Sequence, residues 1–143
     1  MKNSTIFSSI IGFIGAFFTA LFGGWTTGMI TLLIFMGIDY LSGLVVAGVF
    51  QKSNKSENGA LESRAGFKGL CRKCMILLFV LIAYRLDLMI GTNYIRDAVV
   101  ITFSINEVLS IAENAALMGI PLPKVILKAL DILKQKASFE EDS

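Results

Sequence analysis

NSTIFSSIIGFIGAFFTALFGGWTTGMITLLIFMGIDYLSGLVVAGVFQ, residues 3–51, holds one charged residue, Asp39. Forty-eight uncharged positions, rich in Ile, Leu, Phe, Val and Gly, cannot be the core of a soluble domain in a chain of 143 residues. A bilayer-spanning helix needs roughly 20 mostly apolar residues, so the stretch contains two. They divide at Gly23-Gly24-Trp25-Thr26-Thr27-Gly28, where glycine favours a turn and Trp25 suits the headgroup interface. The chain reads as an integral membrane protein.

Working outward, 55% hydrophobic residues and a mean hydropathy of +0.70 fit a multi-span protein with no separate soluble domain. The expected architecture is all-α, with spans near 6–22, 29–50, 74–90 and 98–118. The first apolar run, Ile6–Phe22, exceeds a signal-peptide h-region of about 7–15 residues and has no small-residue cleavage pattern after it, so it reads as a retained helix. Lys52, Lys55, Arg64, Lys68, Arg72 and Lys73 fill the 51–73 connection, and Lys124, Lys128, Lys134 and Lys136 follow the last span; the opposite connections hold only Arg96. By the positive-inside rule the 51–73 loop and both termini are cytoplasmic, which an even number of spans requires. The polar 52–63 stretch is expected to be mobile. Within 121–143, Ile126, Leu130, Leu133 and Ala137 recur at helical spacing among four lysines. A basic amphipathic helix of this kind lies on anionic lipid, pairs with a copy of itself, or is a solvated tail. Glu140-Glu141-Asp142 reads as a disordered acidic end.

Three features within the spans ask for partners. Ser8, Gly12, Ala16, Ala20 and Gly24 recur every fourth residue on one side of the first span, a stripe that lets helices approach closely. Asp39, Arg85 and Glu107 fall at similar depth, about 16 Å from the cytoplasmic ends of their expected spans. An isolated charge at that depth costs several kcal/mol, so Asp39 is expected to pair with Arg85. A structural ion pair and the lining of a water path are both open readings. On the fourth span Thr102, Asn106, Ser110 and Glu113 share a face opposite Ile101, Ile105, Val108, Ala112 and Ala115. Such a face meets other helices or water, or else the segment lies flat at the interface.

Composition also excludes. A net charge of +2 does not argue for nucleic acid, and no histidine accompanies the two cysteines. Cys71 and Cys74 are two thiols where a structural zinc site needs four ligands, so no metal or cofactor is expected. No serine–histidine or cysteine–histidine pair and no phosphate-cradling glycine loop appears, which speaks against an enzyme. A small ion- or proton-coupled transporter and a non-permeabilising membrane assembly partner remain competitors for a hole-forming assembly.

Met36-Gly37-Ile38-Asp39-Tyr40-Leu41-Ser42-Gly43 resembles the M-x-x-D-x-x-[ST]-G element of the toxin-secretion/phage-lysis holins, bacteriophage holin family 4. The resemblance continues through Ser63-x-x-Gly66-x-x-Gly69-Leu70-x-x-Lys73. It is clearest in Asn106-Glu107-Val108-Leu109-Ser110-Ile111-Ala112-Glu113-Asn114 and Gly119-Ile120-Pro121-Leu122-Pro123. These elements come in the family's order and cover about residues 10–135. The resemblance implies a multi-pass protein of the bacterial cytoplasmic membrane that associates with itself into holes for a murein hydrolase (endolysin) or a large toxin. It brings no catalytic residues.

Overall fold

The computed structural model describes residues 2–141 and is helical, with no strand among them. Five helices follow in order: α1 (Lys2–Phe22), α2 (Thr27–Val45, continued by a π-helical turn over Val46–Phe50), α3 (Ser63–Ile90), α4 (Ile95–Leu117) and α5 (Lys124–Glu141). Of these, α1 and the continuous Thr27–Phe50 helix are long and apolar enough to cross a membrane. Large apolar side chains stand exposed over the whole surface, from Phe7 and Phe13 on α1 to Leu41, Phe79 and Met89. A soluble monomer rarely exposes apolar area on that scale; a helical membrane protein meets lipid there.

The breaks between helices have local causes. Gly23 and Gly24 take positive φ, 77° and 98°, and the Gly24 N–H closes α1 onto the Thr19 carbonyl at 2.9 Å. Thr26 then caps α2, its hydroxyl accepting from the Met29 N–H. At the end of α4, Gly119 (φ 84°) donates to Ala116 and Ile120 to Ala115. This paired closure satisfies carbonyls that a helix end leaves open. Pro121 and Pro123 then separate α4 from α5.

Two expectations change here. The 51–73 connection is not all loop: α3 begins at Ser63, so Arg64–Lys73 is helical and only residues 51–62 connect. The 52–63 stretch is folded on itself, with Ser53 N–H on the Gly59 carbonyl, the Ser56 hydroxyl on the Ala60 carbonyl and the Ala60 N–H on the Asn58 side chain. Of the expected acidic end, Glu140 and Glu141 close α5; Asp142 lies outside the described residues.

Helix α4 is central, packed against α2, α3 and α5. Met29, Leu32 and Met36 of α2 meet Val80 of α3 and Val100 of α4 in the core, with Phe22, Ile76, Leu77 and Phe103 closing around them. α1 stands apart. None of its described residues is buried, and it joins the bundle through its last turn. α5 folds back antiparallel to α4 and buries Leu130 and Ala137.

Candidate functional site

Asp39 of α2, Lys73 of α3 and Glu107 of α4 meet inside the bundle. The Lys73 ammonium lies 2.7 Å from Asp39 Oδ2 and 2.6 Å from Glu107 Oε2. Asn114, two turns further along the same face of α4, donates to Asp39 Oδ1 at 3.1 Å, to the Asp39 carbonyl at 3.2 Å and to Ser42 Oγ at 2.8 Å. Ser42 in turn donates to the Asp39 carbonyl. With Asp39, Glu107 and Asn114 at 6, 5 and 4% exposure, bulk water cannot solvate these groups, and their partners must do so. One cation bridging two carboxylates ties three helices at one level.

Asp39 and Glu107 come to one level of the bundle, where both meet Lys73 and not the expected Arg85. Arg85 is exposed, near the Gly91 end of α3. The reason is where depth is counted from. The apolar run begins at Cys74, whereas the helix begins at Ser63, which puts Lys73 about 15 Å along α3. Asp39 is a similar distance from Phe50. Tyr40 aligns the two helices: a Cβ at Gly66 would lie 3.5 Å from its hydroxyl and one at Gly69 3.9 Å from its ring. The helical spacing of Gly66, Gly69 and Lys73 was the available signal. Cys71 and Cys74 are exposed free thiols on α3, and no cluster of metal-binding side chains occurs among the described residues.

A second polar cluster holds the end of the bundle where α3 passes into α4. Asp87 is 4% exposed. Its Oδ1 accepts from the Thr92 hydroxyl at 2.6 Å and the Ile95 N–H at 3.0 Å, and its Oδ2 from the Arg96 N–H at 2.9 Å. The last turn of α3 thus supplies the cap that α4 lacks in its own sequence. Arg96 donates at 2.9 Å to the carbonyls of both Phe22 and Gly23, with its guanidinium over the Tyr84 ring. This clasp anchors α1.

The surface of α4 divides in three. Val100, Ser104, Glu107 and Asn114 turn inward, and Ile105 is covered where α5 lies. Thr102, Asn106 and Glu113 are left exposed. Ser110, expected with them, is half-buried and stands beside the Asp39 carboxylate of α2. The small-residue stripe of α1 is open: Ser8, Gly12, Ala16 and Ala20 are exposed, Gly24 half-buried, and a Cβ at Gly12 would meet nothing within 4 Å. The apolar stripe of α5 packs against α4, with Leu133 half-buried and Ile126 exposed.

Residues 16–135 match the bacteriophage holin family, a span that includes all of the inner network and the open face of α4. The chain belongs to the bacteriophage holin family. It is 40% identical to an uncharacterized protein of Listeria innocua over 93% of this chain and 89% of the relative. An uncharacterized 14.9 kDa protein in the nagH 3′ region of Clostridium perfringens is 37% identical over 86% of this chain and 89% of its own. A probable holin of Bacillus phage phi105 is 31% identical over 72% of this chain and 71% of its own. No solved structure matches.

Proposed function

We propose that this protein is a holin that associates with copies of itself in the bacterial cytoplasmic membrane and forms holes for a murein hydrolase or a large toxin. In this reading α1 to α4 cross the membrane, and the N-terminus, the 51–62 loop and, before assembly, the C-terminus are cytoplasmic. The basic α3 start and tail then meet anionic headgroups. The protein acts by assembly and carries no enzymatic activity.

The observation that carries the reading is the open face of α4. Thr102, Asn106 and Glu113 remain outside a bundle that packs α2, α3 and α5 around that helix. Hydrocarbon does not solvate such a face, so it calls for water or a polar subunit contact. The Asp39–Lys73–Glu107 bridge supports a structural role for the inner charges, since both carboxylates already have their cation. Cargo size supports a large assembly. A folded protein of about 250 residues has a diameter near 45 Å, and helices about 10 Å wide would number roughly 17 around it.

Expression of the protein alone in a bacterium tests this. Collapse of the membrane potential together with leakage of a cytosolic enzyme is expected. Loss of potential with enzyme retention would replace the hole with a transporter or small channel, and neither change would leave a passive membrane partner. Topology has its own check: a reporter active only outside the cytoplasm should respond after Asn93 and stay silent after Asn58.

A further inference from the structure

The sequence leaves α5 with no assigned place in the assembly, and its position in the fold supplies one. Over 18 residues it is about 27 Å long, close to the roughly 30 Å of a bilayer's hydrocarbon. It runs back beside α4, packing on it between Leu130 and Ser138. Lys134 and Ser138 share a groove with Thr102 and Asn106, and Lys136 comes to Thr26, Thr27 and Asp97 at the end of the bundle formed by the α1–α2 turn. Leu130 and Ala137 face inward onto α4. The remaining surface of α5 is mixed, with Lys124, Lys128, Gln135 and Lys136 exposed along it. Asp131, Lys134 and Ser138 follow one another at helical spacing next to the open face of α4. Val125, Ile132 and Phe139 recur every seventh residue on the other side, 77, 66 and 73% exposed.

The α4–α5 hairpin therefore has a hydrophilic flank beside the open face of α4 and, on the other side, an apolar strip with Lys128 and Lys136 at its edges. Each charge turned toward lipid at that depth costs several kcal/mol, whereas one turned toward water does not. A docked α5 is thus compatible with a membrane only where water reaches membrane depth, which is the condition inside a hole. We propose that α5 is a wall element of the hole. It docks on α4 at membrane depth in the assembled state, and Asp131, Lys134 and Ser138 join Thr102, Asn106 and Glu113 in one hydrophilic lining. Val125, Ile132 and Phe139 face lipid or the neighbouring subunit. Before assembly, with lipid on every side, the same charges keep α5 at the cytoplasmic surface. This inference rests on the holin reading.

Cysteines at two buried neighbours, Ile105→Cys with Ala137→Cys, in a background carrying Cys71→Ser and Cys74→Ser, test the docking in whole cells. A disulfide within one chain is expected in permeabilised membranes, with enzyme leakage under oxidising conditions within about twofold of that after reduction. A disulfide that abolishes leakage until it is reduced would make α5 a cover that must leave, and would overturn the wall. Absence of the disulfide in membranes that do leak would overturn the docking. Should the double variant fail to insert, single Lys134→Cys and Ile132→Cys proteins decide: a water-soluble thiol reagent should modify the first at least fivefold faster during leakage, and equal rates would sink the proposal. If the unaltered protein causes no leakage at all, the holin reading fails and the wall falls with it.

Discussion

Midway along α2 and α4 Asp39 and Glu107 meet a side-chain cation, Lys73; at one end of the bundle, Asp87 meets the backbone N–H groups of the first turn of α4. The inner network consists of side chains from three helices and depends on all three being in register. The outer clasp uses helix ends: a carboxylate on an N-terminus and a guanidinium on the last carbonyls of α1. Backbone ends are present wherever a helix stops, so the clasp fixes positions with few special residues. Charges deep in the bundle have no such fallback. The inner site should therefore fail as a unit, while the outer one should fail by degrees.

Lys73→Met should produce the largest effect, because it leaves two buried carboxylates without a cation; breaking a buried pair costs about 3–5 kcal/mol. The expected outcome is loss of accumulated membrane protein. Adding Asp39→Asn and Glu107→Gln to the same variant should restore most of it, since the network is then neutral. Failure of that rescue would mean Lys73 acts through something other than charge.

Asp87→Ala comes next. It strands buried donors of Thr92, Ile95 and Arg96, at about 2 kcal/mol, and should appear as a lowered midpoint of thermal unfolding in detergent micelles. A loss as large as that of Lys73→Met would erase the contrast between the two sites. Arg96→Leu should cost less, about 1 kcal/mol, and should act on α1 alone. Spin labels at Ala16 and Ile76 should show a broadened distance distribution, with α2–α4 distances unchanged.

The smallest effect on the single protomer belongs to Gly12→Leu with Ala16→Leu, since open space surrounds that stripe. Thermal unfolding in detergent should be unaltered, while crosslinked species in membranes shift toward smaller oligomers. Unchanged crosslinking would assign the stripe to lipid contact.

The sequence makes some of these parts legible and hides others for identifiable reasons. Runs of apolar residues and the glycines at 23, 24, 91 and 119 mark where helices pause, so four helix ends fall close to expectation. Charge depth pointed to Asp39 and Glu107. Lys73 escaped because hydropathy locates where lipid-like sequence begins, at Cys74, and not where the helix begins, at Ser63. Counted from Cys74, the same offset puts Arg85 at the depth of Asp39. Asp87 escaped because its acceptors bind backbone N–H groups, which no residue type announces. For α5 the spacing of Leu130, Leu133 and Ala137 gives an apolar stripe but not the surface it meets; only the reversal through Gly119, Pro121 and Pro123 brings it onto α4.

One consequence follows from the way α1 is fastened. The chain turns at two positive-φ glycines, and the guanidinium of Arg96 grips the final carbonyls of α1 while the preceding turns touch little else. An arm held at a single pivot swings more easily than it slides. Where such an arm meets a neighbouring copy by a head-to-tail contact, the angle between copies sets the curvature of the array, and the array closes only when that angle divides a full circle. A tolerant pivot admits more than one such angle. The perimeter is then set by how many copies have gathered when closure occurs, so a membrane crowded with this protein would open wider apertures than a sparse one.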